Sequence, residues 1–303
     1  MASNSDSFFP SVYLRYQPVF QVLLGAFLIS FSAILVKLAQ VSPTASGFYR
    51  VFFGAVFLFI GAKLQGARLR LEKDKFLLSV FCGLIFAFNL FFWHRSIMYI
   101  GPGLSTLISN FQVFFLAVIG FFFLGETLRL RFVAALPLAI GGLFLIVGTS
   151  WNELSPGYKT GIYLSLLTAV CYTIFLLTIR KIHTANNHSH FLALLFVSVF
   201  CALFLGLKMI FSGDSFIIPD LNSLLCLAAL GLFCQTVGWI LIATAMPKIR
   251  ASFTGLILLL QPTLSFVWDV LFFDRPTNLL NWTGVCITLS AIYMGLTAKK
   301  QHN

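Results

Sequence analysis

The chain has 303 residues, 59% of them hydrophobic and only 10% charged. A soluble domain runs at about 45–50% apolar and about 25% charged, so this composition, with its 36 phenylalanines, excludes an ordinary soluble protein and points to the bilayer. The net charge of +11 is scattered over short loops between apolar runs and forms no contiguous patch, which argues against nucleic acid as a partner.

Residues 1–17 are polar, carry Asp6, and lack the basic stretch and small-residue cleavage site of a secretory signal. They read as an N-terminal tail. Ten apolar runs follow, bounded by Pro, Gly and charge, at 18–40, 44–65, 75–98, 102–124, 131–149, 158–180, 189–211, 221–245, 250–273 and 279–298. Residues 299–303 form a second tail. Ten spanning helices use roughly 200 residues, leaving too few for a soluble domain. The expected fold class is therefore all-α integral membrane, with ten transmembrane helices. The six cysteines all lie inside apolar runs without a C-x-x-C pair and read as small core residues.

Loop charge sets the orientation. With the N-terminus in the cytoplasm, 14 Lys and Arg fall on the cytoplasmic side and 6 on the other, which favours both termini inside a cytoplasmic (inner) membrane. A shift of 149 residues lays Ile100–Gln112 on Ile249–Gln261 and brings identical residues together at 7 of 31 positions. Both runs open a helix, and Gln112 and Gln261 fall at the same depth of the fourth and ninth helices. A repeat of five crossings must be inverted in the membrane, so 18–149 and 158–298 read as two inverted five-helix repeats.

The stretch Gly101 to Leu128, with Gly125-Glu126 at its end, the run Pro137 to Val147 with Gly141-Gly142, and the ninth-helix Leu258 to Pro262 with Asp269 resemble the EamA-type half-repeat of the drug/metabolite transporter superfamily over residues 18–298. The resemblance implies ten helices in two halves and a central substrate pathway lined from both. The chain departs from the pattern with Asp274-Arg275 in place of a second Gly-Glu, Val113 in place of a second Pro262, and Ser30-Phe31-Ser32 in the first helix where relatives often carry Trp-Gly.

The ninth helix carries Gln261, Ser265 and Asp269 at intervals of four, on one face, with Thr254 below them. Pro262 lacks an N–H and crowds the carbonyl of Leu258, which predicts a kink. A polar stripe on an apolar helix faces protein or a wet cavity. The competing reading is a structural kink with its polar groups bonded to neighbouring helices. The fourth helix repeats the stripe with Ser105, Ser109 and Gln112, beside Asn110. Asn89 with Trp93, and Gln235 with Trp239, pair an amide with an indole one turn on; Tyr172 sits in the middle of the sixth helix. The candidate substrate-binding set is Asn89, Gln112, Tyr172, Gln235, Trp239, Gln261, Ser265 and Asp269.

Arg50 lies about 9 Å into the second helix and Asp269 about 7 Å from the outer end of the ninth, at 1.5 Å per residue. Lys37 ends the first helix at a similar level. Buried ions in a membrane pair or line a pathway, so Asp269 with Arg50 or Lys37 is read as an outer gate or charged anchor; snorkelling of the two cations to the interface is the alternative. Glu126 reads as a loop anchor near Arg129 and Arg131, His94-Arg95 as an outer-loop pair, and His183, His188 and His190 as residues of a polar loop without the acids that a metal site needs.

The chain contains no H-E-x-x-H, G-x-S-x-G or G-x-x-x-x-G-K-[ST] pattern, so neither an enzyme nor an ATP-driven pump is expected, nor any cofactor or metal. The expected function is a secondary carrier of a small polar metabolite by alternating access, an amino acid or amino-acid-derived compound suiting amides beside aromatics best. Nucleobases, vitamins or drugs are alternative cargoes, and a membrane scaffold or sensor is the alternative class. The expected partners are a small-molecule substrate and the lipid bilayer. Ala135-x-x-x-Ala139 and Ala291-x-x-x-Gly295 permit close helix contacts, within the bundle or in a homodimer.

Overall fold

The computed structural model describes residues 8–67, 70–147, 157–184, 190–274 and 277–297; the side chains of residues 8–15, 33, 101–104, 147 and 269 lie outside the description. In chain order the helices are α1 (Tyr16–Leu38), α2 (Pro43–Leu64), α3 (Lys73–Ile100), α4 (Ser105–Phe123), α5 (Leu130–Val147), α6 (Tyr158–Thr184), α7 (His190–Ser212), α8 (Leu221–Lys248), α9 (Ala251–Phe273) and α10 (Leu279–Leu296). Among the described residues nine are long and apolar enough to cross a membrane, and α5 is the shorter tenth. Each falls within four residues of one of the ten apolar runs. With ten crossings both termini lie on one face of the bundle, called here the terminal face, and the opposite face is the far face.

Helix ends follow local chemistry. Ser42 accepts from the Ala45 N–H at 3.2 Å and Pro43 occupies the first turn of α2. Asp220 caps α8 through Ser223 N–H at 2.7 Å. Asn278 and Asn281 form a reciprocal capping box at the start of α10. The Asn281 side chain also donates to the last carbonyls of α5, Leu145 and Ile146, at 3.0 and 3.1 Å. In lipid no water reaches such groups, so each must find a partner in the protein.

Between α3 and α4 the chain doubles back. Ser96 and Ser105 share a hydroxyl hydrogen bond, and Trp93 donates to Thr106 at 3.3 Å. Along a straight helix the same pairs would lie roughly 14 and 20 Å apart. The reversal therefore falls at Gly101-Pro102-Gly103. His94 and Arg95 sit inside α3 rather than in a loop, His94 against Gly47 and Arg95 over the Tyr99 ring. His183 closes α6 and His190 opens α7, with rings stacked at 5.2 Å; His188 lies outside the described residues.

Packing between the halves obeys the repeat. α2 meets α7, α4 meets α9 and α5 meets α10; α3 packs on α6 as α8 packs on α1, and α2 on α8 as α7 on α3. These pairings are what exchange of two inverted five-helix units requires. A close seam joins α5 and α10. A Cβ on Gly142 would stand 2.3 Å from Thr288 Oγ1 and 2.7 Å from the Gly284 carbonyl. Ala135, Ala139 and Ala291 are buried, and Gly295 faces Ala135. Both small-residue spacings are thus used inside the bundle. An apolar groove of about 680 Å³ between α2 and α7, lined by Phe52, Phe59, Leu203 and Leu207 among others, faces outward, where lipid lies.

Candidate functional site

Three of the spanning helices are broken within their length. α1 breaks at Phe31, between Ser30 and Ser32. α4 breaks at Asn110-Phe111 and α9 at Leu259. In both α4 and α9 the break tightens the turn to i−3 bonds: Asn110 N–H is shared between Thr106 O and Leu107 O, both at 3.1 Å, Phe111 N–H reaches Ile108 O at 3.0 Å, and Leu259 N–H reaches Leu256 O at 3.2 Å. Asn110 and Leu259 differ by 149 residues, the repeat shift. A fourth irregularity is the π-helical stretch Leu230–Gly238 within α8. Such widened turns occur mostly as local bulges and often at functional sites.

The candidate residues gather at these irregularities. Gln112 opens the second half of α4 and Gln261 the second half of α9. Gln112 is 1% exposed, yet its Oε1 has no hydrogen-bond partner among the described residues. The same holds for Gln261 Nε2 and for Trp239 Nε1, on a side chain 1% exposed. The Tyr172 phenol faces the Gln261 amide without forming a hydrogen bond to it. Its ring stands edge-on to Trp239 at 6.3 Å, and Phe175 lies perpendicular to the same indole at 4.8 Å and stacks on Phe86 at 4.4 Å. This aromatic group, with two amides at helix breaks, draws on both repeats.

Other candidates already have partners. Asn89 donates to the Thr168 carbonyl at 3.0 Å, tying α3 to α6. Ser265 donates to the Ser30 carbonyl at 2.9 Å, and Trp268 donates to Ser30 Oγ at 2.7 Å while stacking on Phe31. The break in α1 is thus stitched to α9. Both ends of the Gln235 amide are engaged: its Oε1 accepts from Arg50 Nε at 3.1 Å and its Nε2 donates to Ser198 Oγ at 3.2 Å. Only a glycine fits opposite, because a Cβ on Gly54 would lie 2.4 Å from Gln235 Cγ. Arg50 is half-buried, and no carboxylate pairs with it among the described residues. Lys37 Nζ sits 4.2 Å from the Phe273 ring centre. The Asp269 side chain, and so its pairing with either cation, lies outside the described residues.

Two partnerships escaped the sequence reading. Arg50 and Gln235 stand 185 residues apart in different repeats, and no local pattern links them. Glu126 does not turn to its neighbours but caps α9, accepting from Ala251 N–H at 2.6 Å and Ser252 N–H at 3.2 Å. One signal was available: α9 begins Arg250-Ala251-Ser252, with no residue of its own able to cap it. Among the described residues no group of three His, Cys, Asp or Glu could hold a metal.

Ten apolar helices in two inverted halves, with helices broken within their spans, define a multi-pass membrane protein of the inverted-repeat carrier type. The chain belongs to the EamA-like transporter family, which matches residues 17–148 and 159–297. It is accordingly a membrane transporter of the drug/metabolite superfamily, a family of carriers rather than enzymes. A solved crystal structure, titled only as that of a protein, superposes with a TM-score of 0.78 over 92% of this chain and 96% of its own at 16% identity, a likeness of fold alone. No curated protein matches the chain.

Proposed function

We propose that the protein is a secondary carrier for a small polar metabolite, an amino acid or amino-acid-derived compound, working by alternating access in the cytoplasmic membrane with both termini inside. The observation that carries this reading is the set of buried, unpartnered polar atoms on α4, α8 and α9: Gln112 Oε1, Gln261 Nε2 and Trp239 Nε1. Each costs about 1–3 kcal/mol when left without a partner. A membrane scaffold gains nothing from them, whereas a carrier needs donors and acceptors that a solute can satisfy. Tyr172, Phe175 and Trp239 supply ring faces and edges for an apolar moiety. Arg50, held in place by Gln235, supplies positive charge for a carboxylate. Asn89 and Ser265 hold the lining helices together, and Asp269 with Lys37 is the proposed outer gate.

Uptake into proteoliposomes of labelled amino acids, their derivatives and nucleobases tests the reading, with Gln261→Leu and Asp269→Asn beside the native chain. The expected result is uptake of one chemical class, lost in Gln261→Leu and impaired in Asp269→Asn. Uptake unchanged in both variants would remove this site from the path.

A further inference from the structure

The two faces of the bundle are built alike in backbone but not in chemistry. Gly125 and Asp274 are equivalent under the 149-residue shift, and both adopt the left-handed conformation, with φ of 64° and 48°. Each follows the last turn of its helix, α4 or α9. The next residue is Glu126 in the first repeat and Arg275 in the second.

At the terminal face Glu126 joins the two halves. Its carboxylate accepts from the Ala251 and Ser252 N–H groups and from Ser252 Oγ at 2.6 Å, and Arg180 Nη1 of α6 stands 3.6 Å away. Beside it Arg250 donates to the Thr127 carbonyl at 2.8 Å. A carboxylate at a helix N-terminus gains from the helix dipole as well as from the N–H groups. The site is fitted closely: a Cβ on Gly120 would lie 2.6 Å from Glu126 Oε2.

The far face cannot form this contact. The positions equivalent to Ala251 and Ser252 are Pro102 and Gly103. Proline has no N–H to donate, and glycine has no hydroxyl. Position 275 offers an arginine, which accepts no hydrogen bond and carries the wrong sign for a helix N-terminus.

We propose that Glu126 is a one-sided latch: it holds the terminal face shut across the two repeats, and because the repeat-equivalent positions of the far face cannot make this carboxylate-to-helix contact, leaving that face cross-repeat bonds such as those of Asn281 and Lys208, it biases the carrier at rest toward opening on the far face. Solute arriving from the far face therefore meets the open state first. The proposal rests on alternating access, but it is read from accessibility rather than uptake, so the two can fail separately.

The test uses two reporters related by the repeat, Thr254→Cys one turn into α9 and Ser105→Cys one turn into α4. Each is introduced singly into the native chain and into Glu126→Gln, and labelling by a membrane-impermeant thiol reagent is quantified at that position. In Glu126→Gln, labelling at position 254 should rise several-fold and labelling at position 105 should fall. Glu126→Asp should lie nearer the native chain. Ser252→Ala, which removes a single hydrogen bond, should shift both reporters in the same directions by less, and it carries the test if Glu126→Gln does not fold. Both reporters unchanged, both rising together, or position 254 rising alone would overturn the latch.

Discussion

α4 and α9 occupy equivalent places in the two repeats, and both break at the same repeat position, yet only α9 has a proline there. In α4 the turn at Asn110 is held by the Asn110 side chain, which donates to the Thr106 carbonyl at 2.7 Å. In α9 Pro262 removes the N–H that would bond Leu258, and Thr263 donates its hydroxyl back to the Leu259 carbonyl at 2.8 Å. Two different local devices give one geometry. The break is therefore a property of the fold at that depth, where α4 and α9 cross, and not of proline as such. A Cβ on Gly255 would already sit 2.9 Å from Leu116 Cδ1, which shows how closely the two helices approach.

The comparison can be broken at its functional end. Gln112→Leu and Gln261→Leu should each cut uptake by at least about tenfold, the loss of roughly 1.4 kcal/mol of solute binding. Thermal stability should hold or rise, since a buried amide without a full set of partners gives way to an apolar side chain of similar volume. A fall in the melting midpoint with uptake retained would make both amides structural. The next largest effect is at the seam between the halves: Gly142→Val should destabilise by about 2–3 kcal/mol, because the new Cβ meets α10 backbone that cannot move aside. Its melting midpoint against that of Gly141→Val checks this, since a Cβ on Gly141 meets nothing within 4 Å.

Smaller effects sharpen the α4–α9 comparison itself. Asn110→Ala should cost about 1 kcal/mol, the value of its hydrogen bond to Thr106, and should speed amide exchange at residues 110–114. Pro262→Ala should change stability by less than about 1 kcal/mol, well below the roughly 3 kcal/mol that proline costs inside an ordinary helix. The break at Leu259 should remain in its exchange pattern. A continuous, strongly protected α9 in that variant would show that proline, not the crossing, makes the break.

Much of the fold was legible in the chain, because each spanning helix must satisfy its own backbone in lipid and so announces itself as an apolar run. The kink at Pro262 was legible for the same local reason. The matching break at Asn110-Phe111 was not, since asparagine in an apolar run reads equally as lining, packing or turn. His94 and Arg95 misled: charge near a helix end resembles a loop, but α3 continues to Ile100 and His94 packs against Gly47.

The sequence by itself determined the membrane class, ten helices, a five-helix repeat, and membership of a recognisable superfamily. It could do so because apolar length and repeat register are written along one stretch of chain. Only the tertiary structure decided which polar side chains hold helices together and which stand without partners. It bound Asn89 to Thr168, Ser265 to Ser30 and Gln235 to Arg50, left Gln112, Gln261 and Trp239 with unpaired atoms, and placed Glu126 at the head of α9. Those partners are separated by 79 to 235 residues, and whether a buried polar group is satisfied depends on what the other half of the molecule brings to it.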